Sequence, residues 1–222
     1  MQKFKLGLII LLIPTAIIVY SFLFFVWQGL TELPIVQQFT QEEAAPTVQS
    51  LFDIPIPEEY IPIYMAAEEK YNVPWTLLAA HHRIETRFST MQSLVSPAGA
   101  QGHMQFMPCT FVGWKHPTCK DLGKGEIAPE ELKSLAAIEK YGGYGIDANG
   151  DGIADPYDIE DAVFSAANYL SRYGAATGDI ENAIFNYNHS DKYVRDVLHF
   201  YHLYSEHREE LVELLNATKE EG

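Results

Sequence analysis

Between Arg83 and Pro108 the chain reads RIETRFSTMQSLVSPAGAQGHMQFMP, and Glu85 is the one carboxylate in it. A glutamate set against apolar neighbours suits general acid–base chemistry. The apolar wall disfavours the ionised form, raises the pKa and leaves a proton to give near neutral pH. On helical spacing Glu85 lies seven residues after Leu78 and four after His81, so it shares their face rather than that of Arg83 and Arg87. The small residues of SPAGAQGHMQFMP permit close backbone approach, and Met104, Gln105 and Phe106 are suited to line a groove. The glutamate taken alone leaves a second reading open, a solvated side chain near a helix end.

Two further groups of residues carry chemistry. DANGDGIADPYD, residues 147–158, has oxygen side chains at the first, third, fifth, ninth and twelfth places and glycine at the sixth, the spacing of an EF-hand calcium loop. The ligands would be Asp147, Asn149, Asp151, the Ile153 carbonyl, Asp155 and Asp158. Aspartate at the twelfth place and Ala154 at the eighth depart from that pattern, and a metal-free acidic turn leading into a helix near Ile159 is the competing reading. Calcium here would be structural, and the expected catalysis needs no cofactor. Cys109 and Cys119 stand ten apart, which allows a disulfide in an oxidising compartment or two unpaired thiols.

The segments that must hold these residues follow from composition. Leu6 to Leu30 carries no ionisable charge, and about twenty such residues cross a hydrocarbon core of about 30 Å. With Lys3 and Lys5 before it and Glu32, Glu42 and Glu43 after it, the expectation is a single-pass anchor in the cell membrane with the remainder extracytoplasmic. Residues 1–30 are then tip and anchor, 31–56 a proline-bearing spacer, 57–206 the catalytic domain and 207–222 a helical tail. Helices are expected around Ile61 to Glu69, from Asn72 and Pro74 through Phe88 with proline in the first turn, from Asp158 to Gly174 and from Asp179, with long loops between 89 and 155. With 30 acidic and 15 basic residues the net charge of −15 argues against nucleic acid as a partner.

Three blocks, Ile84-Glu85-Thr86-Arg87-Phe88, the run from Ser96 to Pro108, and Ala183-Ile184-Phe185-Asn186-Tyr187-Asn188, resemble the lytic transglycosylases of the soluble-lytic and membrane-bound B types over roughly residues 57–204. The resemblance implies a mainly α, lysozyme-like domain of the goose-type and transglycosylase kind, acting on peptidoglycan glycan strands. It implies that Glu85 protonates the bond between N-acetylmuramic acid and N-acetylglucosamine, then takes the proton of the muramoyl C6 hydroxyl to leave a 1,6-anhydro end. It assigns the glycan site to Ser96, Gly102, Met104, Gln105, Phe106, Tyr187 and Asn188. His103 departs from the usual apolar residue, and a packed or solvated histidine is favoured there over a pH sensor. Rival readings are a hydrolytic muramidase with Asp191 or a loop aspartate directing water, and a catalytically silent glycan-binding scaffold. Trp114, Tyr141, Tyr144, Tyr157, Tyr169 and Tyr173 are expected mostly to pack rather than to stack on sugars.

Overall fold

The computed structural model describes residues 52–120 and 122–220, together with Phe24. The expected membrane segment and most of the spacer lie outside the described residues, and no described helix is long and apolar enough to cross a membrane. The chain divides into two units, Met1–Thr47 and Val48–Gly222, and all that follows concerns the second.

The fold of this unit is mainly helical; among the described residues the only β contacts are two isolated antiparallel bridges, Val95 with Gln101 and Gln101 with Phe106. After a 3-10 turn at Glu58–Tyr60, α1 runs Ile61–Tyr71 and ends at Asn72, whose φ of 53° is left-handed. Helix α2 spans Trp75–Thr86, so Pro74 precedes the helix rather than occupying its first turn. The stretch expected as loop holds three short helices, α3 (Pro108–Val112), α4 (Pro129–Leu132) and α5 (Leu135–Tyr141). Each is too short to print a 3.6-residue period on the sequence, but proline opens the first two and the Ser134 side chain caps the third by accepting the Ala137 N–H. Helices α6 (Ile159–Arg172), α7 (Ile180–Tyr187), α8 (Asp191–Glu206) and α9 (Arg208–Glu220) complete the unit.

Helix α2 is the centre of the fold, with ten of its twelve residues buried. It packs most extensively against α8, while α1 lies against both α2 and α6, where Ala162, Ala166 and Ala167 let the backbones approach. Arg83 is among the buried residues: its guanidinium donates to the Ile54 carbonyl at 3.0 Å, pairs with Asp53 and stacks on Phe200 at 3.9 Å. Truncating Leu77 or Leu78 in this helix to alanine would cost about 2–5 kcal/mol. The helix that carries Glu85 is thus anchored by the core itself.

Candidate active site

Glu85 lies in the last turn of α2, and its Oε1 accepts a 2.5 Å hydrogen bond from the Tyr193 hydroxyl of α8. Burial pushes its carboxyl from 4.5 up to about 7, against the opposing pull of that hydrogen bond. The residue as a whole keeps some exposure. Burial, and then the Glu85 carboxylate, hold the Tyr193 and Tyr187 phenols far above 10, which keeps both hydroxyls protonated. Tyr193 has one proton and gives it to Glu85, so it must accept from His81 Nδ1, 2.9 Å away. Burial lowers His81 to about 3, leaving a neutral ring with Nδ1–H as donor and a bare Nε2 that meets no partner. With Oε1 taken by Tyr193, Oε2 is the oxygen of Glu85 free to exchange a proton.

A second hydrogen-bonded chain fixes the Ser96–Pro108 loop. The Tyr157 carbonyl can only accept, so His103 Nε2 donates to it at 2.8 Å, and His103 Nδ1 is hydrogen-bonded to Ser89 Oγ at 2.6 Å. Ser89 Oγ is also hydrogen-bonded to His82 Nε2 at 2.7 Å, and His82 Nδ1 to the Tyr64 hydroxyl at 2.6 Å. Every ring nitrogen in the chain is satisfied. It joins α1, α2, the turn after α2, the Ser96–Pro108 loop and the 147–158 loop. The turn is strained: Arg87, Phe88 and Ser89 have φ of 53°, 56° and 66°, and the buried Phe88 side chain anchors it.

Two cavities meet at Gln105. One, of about 450 Å³, is lined by Gln105, Phe106, Trp114, Tyr169, Tyr173 and Tyr187 among others. The other, of about 750 Å³, is lined by Arg87, Ser96 and Gln105 among others. Tyr187 also donates to the Met104 carbonyl at 2.8 Å, and its ring packs on His81 and Phe106. Ser96, Gln105, Phe106 and Tyr187 are therefore brought together around the groove. Met104 is fully buried beneath it and lines neither cavity. Gly102 is buried too, and its glycine is explained by Pro156: a Cβ there would lie 1.8 Å from the Pro156 carbonyl oxygen. Asn188 is exposed and lines neither cavity, whereas its neighbours Asn186 and His189 line the first. Asp191 lines a separate cavity with Asp179, Glu181 and Arg195. Of the aromatic candidates, Trp114, Tyr169 and Tyr173 reach the groove; Tyr141, Tyr144 and Tyr157 do not line it.

The acidic loop is shaped by its own hydrogen bonds. Asp147 accepts the N–H groups of Gly150, Asp151 and Gly152, Asn149 that of Asp151, and Asp151 that of Ile153. Asp155 accepts from Tyr157 and pairs with Lys133 at 2.5 Å, while Asp158 caps α6 through the Glu160 and Asp161 N–H groups. Asp161, absent from the expected ligand set, is fully buried and accepts from Ala148, Asn149 and Asp155. Among the described residues no group of three or more His, Cys, Asp or Glu is arranged to hold a metal ion. The five side chains among the six expected ligands thus all accept hydrogen bonds, Asp155 within an ion pair and Asp158 within a helix cap. Cys109 and Cys119 are joined in a disulfide, so neither thiol is free to act as a nucleophile.

No protein-family model matches the chain, and no solved structure matches it. It is similar to an L-Ala–D-Glu endopeptidase of Bacillus subtilis (strain 168), at 26% identity over 151 residues, which are 68% of this chain and 43% of that protein. The chain therefore spans less than half the length of that relative. This finding overturns the expected lytic transglycosylase: the similar protein is named for cutting a peptide bond, not for non-hydrolytic cleavage of a glycan.

Proposed function

We propose that this chain is a peptidoglycan-cleaving hydrolase in which Glu85 moves the protons. The observation that carries this reading is a carboxyl held at about 7 and oriented through one oxygen by Tyr193; Glu85 lines neither cavity, but its charge acts on Tyr187, which lines the polar and aromatic groove. The substrate class draws on the similar endopeptidase, since an L-Ala–D-Glu linkage belongs to the stem peptide of peptidoglycan. That relative makes a stem amide the bond we assign. Ionised Glu85 would take a proton from water as its oxygen attacks the amide carbonyl, then return that proton to the leaving nitrogen as the C–N bond breaks. A group with a pKa near the working pH serves both steps. The disulfide fits a domain held outside the membrane by the charge-free segment near the amino terminus. The finer fold reading, a lysozyme-like domain, rests on Glu85 ending a buried helix beside a groove loop.

The test is digestion of purified sacculi by the full chain, counting new amino termini and new glycan ends separately. New amino termini at D-Glu without new glycan ends are expected, and none with Glu85→Gln. Glycan ends without amino termini would overturn the stem assignment, and no release would overturn the substrate class. The pH limb gives a second reading: a base must start ionised, so kcat/KM should rise through about 7. A limb that falls there would make Glu85 an acid in its first step.

A further inference from the structure

We propose that the cavity beside Arg87 is a subsite for a carboxylate of the stem peptide, with the Arg87 guanidinium as its partner; this rests on the peptidoglycan reading above. The chain carries 30 acidic residues, yet none lies among the 35 residues from Thr86 through Lys120. That stretch supplies every residue lining the 750 Å³ cavity, so no carboxylate lines it. Its polar wall is Arg87, Thr90, Gln92, Ser93, Ser96 and Gln105. The 450 Å³ cavity is acid-free as well, but of the two only this one is lined by an arginine, so an anion meets attraction there without a lining carboxylate to repel it.

Arg87 is free to receive that anion. Arg83, Lys133, Lys192 and Arg208 each have a carboxylate partner, whereas among the described residues no carboxylate pairs with Arg87. It is exposed and stands where α2 ends, held by its N–H to the Arg83 carbonyl and by Thr90 Oγ1 donating to its own carbonyl at 2.8 Å. Its φ of 53° is a conformation that favours glycine, so the backbone has no use for an arginine there. A guanidinium matches a carboxylate with two parallel N–H donors, which a neutral groove cannot do. Gln105 lines both this cavity and the one beside Tyr187, so a ligand anchored at Arg87 would extend toward the groove that Glu85 serves. Stem peptides of peptidoglycan carry free carboxylates and offer the matching charge.

The test compares soluble muropeptides bearing free stem carboxylates with the same compounds amidated, using the full chain and its Arg87→Gln, Arg87→Lys and Arg87→Gly variants. For the free-acid substrate, Arg87→Gln should raise KM about tenfold with kcat changed less than about twofold, and Arg87→Lys should recover part of the loss. Wild type and Arg87→Gln should treat the amidated substrate alike. Arg87→Gly should lose affinity as Arg87→Gln does while folding at least as well, because glycine adopts this φ freely. Equal losses on both substrates, or no change in KM, would overturn the subsite. Should the wild type cleave no muropeptide, the cleavage reading fails by itself. Binding to the Glu85→Gln chain by calorimetry then decides the subsite: preference for the free acid that Arg87→Gln abolishes supports it, and no preference sinks it.

Discussion

Replacing Glu85 by glutamine separates a buried acid from a surface one through stability alone. Burial raises the carboxyl from 4.5 to about 7, so between those values the folded chain holds a proton that the unfolded chain has released. Stability therefore falls as pH rises across this window, and above about 7 the loss is complete. At about 1.4 kcal/mol per pH unit the gap is worth about 3 kcal/mol, and the partial exposure of the residue trims this toward about 2. Glutamine keeps the shape and can accept from Tyr193, but it does not titrate. The stability of Glu85→Gln minus that of wild type should be near zero at pH 4 and about +2 to +3 kcal/mol at pH 8. For a unit of this size that is a rise in Tm of roughly 4–12 °C. Urea unfolding at intervals from pH 4 to 8 reads the difference, in which every other titrating group cancels. A difference that stays flat across the window would refute the buried-acid argument, and with it the claim that Glu85 is tuned for proton transfer.

Four further outcomes are expected. Tyr193→Phe removes the hydrogen bond that holds Glu85 down, so the pH–rate midpoint should move above 7, and the His81 Nδ1–H left without an acceptor should cost about 1–3 kcal/mol in unfolding experiments. Replacing Cys109 and Cys119 together by serine reopens a loop closed across ten residues and should cost about 3 kcal/mol, read as a lower urea midpoint. Asp161→Asn leaves one acceptor oxygen where two serve three N–H groups, and amide exchange at Ala148, Asn149 and Asp155 should accelerate at least tenfold. Because Asp161 and the loop's own aspartates hold residues 147–158 by hydrogen bonds, the metal-free turn predicts that EDTA leaves Tm and these exchange rates unchanged, whereas a calcium loop predicts a Tm rise of several degrees on adding calcium.

What could be read from the sequence was the part written in residue type and short spacing. Glu85, His81 one turn earlier on the same face, Asp158 at the start of α6, and the helices α1, α2, α6 and α7 all fall within one helical period of the features that announce them, whereas α8, the longest described helix, was not anticipated. What escaped acts between distant segments. Tyr193 meets Glu85 across 108 positions, and His103 meets Tyr157 across 54. A tyrosine beside Val194 and Val197 on the apolar face of α8 was the available signal, yet it marks burial rather than a partner. Gly102 carries a demand the motif did not state: a Cβ there would lie 1.8 Å from the Pro156 carbonyl oxygen, 54 positions away.

The same distinction bears on the acid-free stretch itself. As sequence, the scarcity of carboxylates around Glu85 pointed to one acid doing the chemistry alone. In the fold, nine residues of that stretch line the cavity beside Arg87, while Phe106, Met107, Thr110 and Trp114 line the one that holds Tyr187. Absent carboxylates there leave the electrostatics to Arg87, which suits holding an anion more than tuning an acid. The pKa of Glu85 follows from burial and Tyr193, neither of which requires the 35 following residues to be free of acid. Composition and catalysis are thus separable: an acid introduced at Gln92 or Ser93 should weaken binding of free-acid muropeptides and leave the pH midpoint of Glu85 in place.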